Sequence, residues 1–97
     1  MNLVKKYNEE YENEFLHVGD RVRFKSWDQM SQEFKLDNVG DIKTKSTYFT
    51  KKMRYLCGTL ATVKEINPKD SEVYLKDFTA TGTAGWRYDI GMIEKVR

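Results

Sequence analysis

Residues 59–78 constrain the fold more than any other part of the chain, because two strand-like runs flank a single turn. The run Leu60–Ile66 alternates in side-chain character at every second residue, and Glu72–Phe78 is rich in β-branched and aromatic residues. Asn67-Pro68-Lys69-Asp70 lies between them and has the composition of a turn, since Pro restricts the residue before it. The sequence therefore predicts an antiparallel hairpin with a loop of about four to five residues.

Further strands are predicted on both sides of this hairpin. The run 21–25 follows a Val18-Gly19-Asp20 turn and alternates, so Val22 and Phe24 should face inward while Arg21, Arg23 and Lys25 face out. Residues 86–88 and 92–96 are predicted as the last two strands, with Asp89 capping a short turn between them. The predicted fold is mostly β with minor α, in a single domain over residues 15–97.

A helical insertion is predicted after the first strand, at about 27–57. Ser26 is a good N-cap, and Trp27, Met30 and Phe34 recur at helical spacing, which predicts a helix near 27–35. Residues 36–47 have the composition of a loop, which Val39 and Ile42 should hold to the core.

The second half of the insertion has its own signals. Tyr48-Phe49 predicts a short strand. Thr50 is a candidate N-cap, so residues 51–57 are predicted to form one or two helical turns that end at Gly58.

Residues 1–14 are an N-terminal extension that lies outside the strand pattern. Leu3, Tyr7, Tyr11 and Phe15 recur every four residues, which predicts a short amphipathic helix; a frayed terminus is the alternative. A homodimer through these four side chains is a further prediction.

The predicted strands resemble those of a known small fold. Val18-Gly19-Asp20-Arg21-Val22-Arg23-Phe24 resembles the opening strand of SH3-like barrels, and 57–66 resembles the second, where a Gly precedes a hairpin. Residues 73–75 are similar to the third strand, and 86–96 to the fourth strand, the closing turn and the last strand. The resemblance implies a five-stranded SH3-like barrel with the insertion after its first strand.

The arrangement is also similar to a group of small proteins from phages and prophages of low-GC bacteria. Ser26-Trp27-Asp28 after a Gly-Asp strand, the stretch 49–58 (Phe-Thr-Lys-Lys-Met-Arg-Tyr-Leu-Cys-Gly) and the late Trp86 carry this similarity. Proteins of this kind are sometimes inhibitors of host defence, including anti-CRISPR proteins. The resemblance therefore implies a phage-type accessory protein in the cytoplasm of a bacterial host.

Length and residue content exclude several classes of protein. A chain of 97 residues is too short for a TIM barrel or a doubly wound dinucleotide fold. Cys57 and His17 are the single cysteine and histidine, which excludes an internal disulfide and a Cys/His zinc site within one chain. The start is charged, without the apolar region of a signal peptide, and no apolar run approaches the ~20 residues of a membrane helix. We expect a cytoplasmic protein with no cofactor.

The sequence predicts a non-enzymatic function. His17 is expected on the surface, and Cys57 as a small buried hydrophobe, although a nearby cation could activate its thiol. Gly82 and Gly85 lack the Lys-Ser/Thr that follows a phosphate-binding loop. No nucleophile, base or metal set is therefore predicted.

Cations and aromatic rings are interleaved in and near the insertion, which makes this region the candidate partner-binding surface. Such a mixture suits phosphate contact with base stacking, and it equally suits a protein interface anchored by Tyr, Trp and Arg. Because Lys and Arg exceed Asp and Glu by only 17 to 15, a protein-binding module, such as an inhibitor of a host or defence factor, is preferred over a nucleic-acid-binding SH3-like module. The candidates are Trp27, Lys43, Lys45, Tyr48, Lys51, Lys52, Arg54, Tyr55, Trp86 and Tyr88.

The aromatic content of 13% is high for one small core. Five rings fit inward positions, namely Phe24, Phe34, Phe49, Tyr74 and Phe78. Six others are harder to bury together, namely Tyr7, Tyr11, Trp27, Tyr48, Tyr55 and Tyr88. Some of these are expected on the surface, where a partner would bind.

Overall fold

Two antiparallel sheets and one short α-helix make up the described residues of the computed structural model, 16–81 and 87–96. The larger sheet has five strands and the smaller has three, so the prediction of a mostly β fold with minor α is confirmed. In chain order the elements are β1 (Arg21–Phe24), α1 (Trp27–Glu33), β2 (Lys35–Leu36), β3 (Ile42–Lys43), β4 (Tyr48–Phe49), a first 3-10 helix (Lys51–Leu56), β5 (Leu60–Asn67), β6 (Glu72–Lys76), β7 (Arg87–Asp89), a second 3-10 helix (Ile90–Met92) and β8 (Ile93–Lys95).

β1 joins the insertion to the larger sheet. It pairs antiparallel with β5 on one side and with β8 on the other. Val22 and Phe24 are buried, as the alternation predicts. The carbonyl of Phe24 accepts from the N–H of Gly58 at 2.9 Å, and its N–H donates to the carbonyl of Thr59 at 3.0 Å. The insertion therefore leaves and re-enters the larger sheet at the same place.

Lys25 is buried, which corrects the prediction that it faces out. The strand ends at Phe24, one residue earlier than the alternation predicts, so the outward position is lost. The Nζ of Lys25 donates to Oε1 of Glu33 at 2.8 Å. This ion pair offsets part of the free energy needed to remove the ammonium group from water.

β5 and β6 form the predicted hairpin. Their pairing shifts between Val63 and Glu65, which is the irregularity of a β-bulge. The turn closes where the N–H of Ser71, at a φ of 56°, donates to the carbonyl of Pro68 at 3.3 Å. β6 is shorter than predicted because Asp77 adopts a φ of 52°, which is incompatible with an extended strand.

α1 begins at its predicted cap. Oγ of Ser26 accepts a hydrogen bond from the N–H of Gln29 at 3.1 Å. Met30 is fully buried, and the N–H of Phe34 donates to the carbonyl of Met30 at the end of the helix. The Phe34 ring then lies against Gly91, so the helix ends against the turn between β7 and β8.

The prediction of a loop over residues 36–47 is wrong, because β3 and the last residue of β2 lie within it. The pairs Leu36↔Ile42 and Ile42↔Phe49 join β2, β3 and β4 into the smaller sheet. Ile42 is fully buried, as predicted, but Val39 is 63% exposed because it lies in the turn between β2 and β3. Strands of two residues are too short to show an alternating pattern.

One hydrophobic core is shared by the insertion and the larger sheet. Met30, Ile42, Phe49 and Leu56 of the insertion are fully buried in the same cluster as the inward side chains of β1, β5 and β6. The Phe24 ring packs among those of Phe49, Phe78 and Tyr88. The insertion therefore cannot be removed without exposing this core to water.

The last two strands are joined by the turn that the sequence predicts. Oδ1 of Asp89 accepts from the N–H of Gly91 at 2.8 Å and caps the second 3-10 helix. The larger sheet has the order β7-β6-β5-β1-β8, so β7 and β8 are its two edges. Within the described residues these edges do not pair and the sheet is not closed, so the SH3-like barrel stays a prediction.

Candidate functional site

The outer face of the small sheet carries a row of three side chains, Lys35, Lys43 and Tyr48. Lys35 lies opposite Lys43, and Lys43 lies opposite Tyr48, so the three side chains share one face. All three are exposed, whereas Ile42 and Phe49 on the other face are fully buried. The buried face holds the sheet to the core and presents the row to solvent.

The charges in this row repel one another. Lys35 and Lys43 are directly opposed, and like charges at opposed positions destabilise a sheet. Nζ of Lys43 lies 5.9 Å from the centre of the Tyr48 ring, within the range of a cation–π contact. In the part of the chain that the structure describes, neither lysine forms an ion pair with a carboxylate. An anion between the two ammonium groups would relieve the repulsion.

The turn between β3 and β4 presents a further cation. Thr44 and Thr47 close the turn, with the Thr44 N–H donating to the Thr47 carbonyl at 2.9 Å and the Thr47 N–H donating to Oγ1 of Thr44 at 3.0 Å. Both threonines are buried, while Lys45 and Ser46 at the tip are exposed. Lys45 is therefore held at one end of the outer face by a hydrogen-bonded turn.

Two carboxylates hold the turn between β2 and β3. Oδ1 of Asp37 accepts from the N–H groups of Val39 at 3.0 Å and Asp41 at 2.9 Å. Oδ1 of Asp41 accepts from the N–H of Lys51 at 2.9 Å, which ties this turn to the first 3-10 helix. These carboxylates stabilise the backbone and limit the extent of the positive surface.

The first 3-10 helix separates its apolar and polar side chains. Met53 and Leu56 are buried. A shallow cavity of about 320 Å³ lies between the start of this helix and the β2–β3 turn. The cavity is lined by Val39, Asp41, Thr50, Lys51 and Lys52. Lys51 and Lys52 therefore lie next to an exposed valine, while Tyr55, two residues after the buried Met53, is 49% exposed.

Trp27 and Arg54 form a second cation–aromatic pair. The Arg54 guanidinium carbon lies 5.0 Å from the centre of the Trp27 ring. Trp27 is half-buried and also packs against Phe49, with ring centres 6.3 Å apart. Arg54 thus covers part of the remaining surface of Trp27, which leaves little of that ring for a partner.

Tyr88 does not belong to the surface, which corrects the prediction that places it at the partner-binding site. It is fully buried in β7, and its ring lies edge-on to Phe24 at 5.0 Å between centres. The pattern misleads because Tyr88 is the inward residue of a three-residue strand. Its hydroxyl has no hydrogen-bond partner among the described residues, and burial, with a smaller effect from Tyr55, raises its pKa.

Some predictions lie outside the described residues. Trp86 is one of them, as are the helix and homodimer contacts assigned to Leu3, Tyr7, Tyr11 and Phe15.

The predicted site residues form three local groups. Lys43, Lys45 and Tyr48 belong to the outer face and its tip, Lys51 and Lys52 line the cavity beside Val39, and Arg54 covers Trp27. Sequence reasoning misses Lys35, Leu36 and Val39 as surface residues. A signal for them is present in the sequence. A Lys-apolar pair, Lys35-Leu36, precedes an Asp-Asn-Val-Gly turn, and an apolar-Lys pair, Ile42-Lys43, follows it, which is the pattern of a short hairpin.

The two residues considered for catalysis, Cys57 and His17, lie in different surroundings. Burial raises the pKa of the Cys57 thiol, and the nearby Arg54 only partly opposes this, so the thiol is protonated at neutral pH. His17 is exposed, and its backbone N–H donates to Oδ2 of Asp20 at 2.7 Å. The described residues contain no cluster of three or more His, Cys, Asp or Glu side chains that could hold a metal ion.

A second cavity, of about 430 Å³, lies beside the β5–β6 turn and is lined in part by Pro68 and Ser71. The cavity is lined by the carboxylate of Asp89 and by apolar side chains that include Leu16, Ile66 and Ile90. Burial raises the pKa of Asp89, against smaller lowering effects of hydrogen bonds from Gly91 and Thr44 and of the charge of Lys25. The carboxylate is therefore already engaged by the fold.

Comparisons with protein-family models, with curated proteins and with solved structures found no match for this chain. None of the helices in the described ranges is long and apolar enough to cross a membrane.

Proposed function

We propose that this chain is a non-enzymatic protein-binding module whose insertion, residues 27–57, carries the partner-binding surface. The position of the exposed apolar side chains supports this proposal. Five large hydrophobic side chains are exposed among the described residues, and four of them lie in the insertion: Leu36, Val39, Tyr48 and Tyr55. Scattered exposed apolar residues are ordinary, but their concentration in one segment that also carries exposed Lys and Arg is typical of an interface.

The scaffold in this proposal is an SH3-like core. Five antiparallel strands lie in one sheet, and the last of them returns to pair with the first. A 3-10 turn precedes the last strand, as the resemblance to SH3-like domains implies. This arrangement supports the proposal of an SH3-like core.

The partner class in this proposal comes from the resemblance to phage and prophage proteins. A host or defence factor in the bacterial cytoplasm, such as the target of an anti-CRISPR protein, is the proposed partner. A non-enzymatic mode of action is supported by the protonated state of Cys57 and by the structural role of Asp89. An inhibitor of this kind acts by occupying a surface of its target.

A nucleic-acid-binding module is the second candidate function. The contact between Lys43 and the Tyr48 ring favours it, since single strands are held by cations next to stacking rings. The separation of the cations into three local groups disfavours it, because a phosphate backbone needs a continuous basic track.

The test uses two exposed valines that differ in position but hardly in exposure. Val39 in the insertion is 63% exposed and Val18 outside it is 64% exposed. Wild-type protein, Val39→Ser and Val18→Ser would each be immobilised and used to capture proteins from the lysate of a low-GC bacterium, with quantification by mass spectrometry. A captured protein that is depleted on Val39→Ser and retained on Val18→Ser supports the proposal. Capture that is absent, or equal on both variants, contradicts it.

A mobility-shift assay with single-stranded DNA at low salt tests the second candidate. Binding that weakens steeply as salt rises would favour nucleic acid. The absence of any shift would remove this candidate.

A further inference from the structure

We propose that the outer face of the small sheet (Lys35, Lys43 and Tyr48) binds a short, extended acidic segment of the partner protein. Two carboxylates at alternate positions of that segment would contact the two lysines, and an apolar or aromatic residue two positions further on would pack on Tyr48. This inference rests on the proposed protein-binding function and names the chemistry of the partner.

The spacing of the row fits an extended peptide that crosses the strands. Lys35, Lys43 and Tyr48 occupy opposed positions on three neighbouring strands, which lie about 4.8 Å apart. Alternate side chains of an extended peptide lie about 6.6 Å apart on one face. The long lysine side chains can accommodate this difference, so an acid-x-acid-x-aromatic segment matches the row in order and length.

The charges of the row favour an anionic ligand. Lys35 and Lys43 are opposed, exposed and without a carboxylate partner among the described residues, so the free protein retains their repulsion. Lys45 at the tip of the β3–β4 turn adds positive potential at the same end of the sheet. A bound carboxylate removes repulsion and adds attraction at the same time.

Acidic residues near both ends of the strands of the small sheet limit the direction in which an anionic ligand can lie. Asp37 and Asp41 lie in the turn between β2 and β3, at one end. At the other end the Ser46 hydroxyl donates to the carbonyl of Asp70 at 3.5 Å, which brings a third acidic residue near the tip. A ligand that ran along the strands would meet these acidic residues, whereas an extended peptide that crosses the strands would not.

The ion pairs that Lys35 and Lys43 would form with the peptide are solvent-exposed, so each contributes little to the free energy of binding. Surface pairs are worth about 0.2–1 kcal/mol, which corresponds to a change in Kd of about 1.4- to five-fold per lysine. Replacement of both lysines should therefore weaken binding by about two- to 25-fold, and we expect about tenfold because both cations face the same segment. Binding should also weaken as salt rises, because exposed charges are screened.

Fluorescence anisotropy with three labelled probes tests the proposal on the full chain. The first probe is a ten-residue peptide with three alternating glutamates followed by a tyrosine, and the second has glutamine in place of each glutamate. The third is a ten-nucleotide oligothymidylate. Each is titrated with wild type, with Lys35→Gln/Lys43→Gln, and with the control Lys64→Gln/Lys76→Gln, which removes two exposed lysines from the larger sheet.

We expect the acidic peptide to bind the wild type and the control Lys64→Gln/Lys76→Gln equally well. It should bind Lys35→Gln/Lys43→Gln about tenfold more weakly, and the glutamine peptide should bind none of the three proteins. Equal weakening in both double variants would mean a general effect of charge and would overturn the proposal. No binding of the acidic peptide, or binding of the oligothymidylate alone, would overturn it as well. Circular dichroism of each variant checks that the fold is retained.

The chain's own acidic residues are another possible occupant of the face. Glu9, Glu10, Glu12 and Glu14 lie in the N-terminal extension. If replacement of all four by Gln strengthened peptide binding tenfold or more, these residues would be the occupant and the proposal would be overturned. Unchanged binding supports it.

Failure of this inference can be told apart from failure of the proposed function. If the captured partner is lost on Val39→Ser but the acidic peptide does not bind, only the assignment of an acidic segment fails. If no partner depends on Val39, the proposed function itself fails.

Discussion

Gly91 and Phe34 are in contact at the boundary between the insertion and the larger sheet. A Cβ built on Gly91 would lie 2.7 Å from Cζ of the Phe34 ring and 3.1 Å from Oδ1 of Asp89. Side-chain carbons do not approach a ring atom so closely, so this position accepts only a glycine unless the ring moves. The end of α1 is thereby fixed against the turn between β7 and β8.

Gly91→Ala should destabilise the protein because the added methyl group displaces the Phe34 ring. Overpacking of this kind costs about 1–3 kcal/mol, measurable as a lower midpoint of urea unfolding. Phe34→Leu provides the second side of a double-mutant cycle. If the steric contact is the cause, Gly91→Ala lowers the unfolding free energy less in the Phe34→Leu background than in the wild type. Fully additive effects of the two substitutions would contradict this explanation.

Asp89→Asn should stabilise the protein more at neutral pH than at acid pH. Burial raises the pKa of Asp89, with Glu72 adding to this and Lys25 opposing it, so the folded state binds the proton more tightly than the unfolded state. The contribution of protonated Asp89 is complete below its unfolded pKa and is lost as pH rises through the folded pKa. Asn keeps an oxygen for the Gly91 N–H and has no charge to desolvate.

The measurement for Asp89 is the unfolding free energy of variant and wild type at about pH 3 and pH 7. The unfolding free energy of Asp89→Asn should increase relative to that of the wild type as the pH rises from about 3 to about 7. Asp70→Asn, at an exposed position, is the control. A constant difference across the range for Asp89→Asn would show that its ionisation has no part in stability.

Tyr88→Phe should stabilise the protein. The Tyr88 hydroxyl is buried without a hydrogen-bond partner among the described residues, and a buried unsatisfied group costs about 1–3 kcal/mol. The ring contacts with Phe24 and Phe78 are kept by phenylalanine. We expect a gain of about 1 kcal/mol by urea unfolding. Tyr48→Phe, with an exposed ring, should change little, and a loss of stability in Tyr88→Phe would reveal a missing partner for the hydroxyl.

Arg54→Gln should expose Trp27. The guanidinium covers one part of a ring that is already half-buried against Phe49. In a Trp86→Phe background, where Trp27 is the only tryptophan, its emission should shift to longer wavelength. The loss of the cation–π contact should cost about 0.5–1 kcal/mol. Lys52→Gln is the control, and an unchanged spectrum in Arg54→Gln would mean that the two side chains do not stay together in solution.

The long alternating runs predict the larger sheet because each strand shows its period. β5 and β6 are long enough for alternation to be read, and Ser26, Gly58 and Asp89 occupy the turns and caps that their chemistry predicts. The prediction that Lys25 faces out is wrong because the strand ends one residue early. The charge of Lys25 is then paired with that of Glu33. The alternation of a strand contains no information about this partner, which lies in the helix that follows.

The candidate site is only partly predictable from sequence. Tyr48 and Tyr55 are exposed, as expected for part of the aromatic content, whereas Tyr88 is buried. Lys35 is absent from the predicted set because its relation to Lys43 depends on the pairing of β2 with β3. Pairing of two-residue strands is set by the tertiary fold and not by propensity.

The hydrogen bonds of Phe24 to Gly58 and Thr59 have a consequence for how this protein can diversify. They join the two ends of a segment whose inner residues complete the core but whose turns, 37–41 and 45–46, project from it. Mutations at those turns, and on the outer face between them, can change which partner is bound without altering the hydrogen bonds at the base of the insertion or the core. Related chains should therefore differ in specificity mainly at these two tips and on the face that they border, as antibodies differ in their loops.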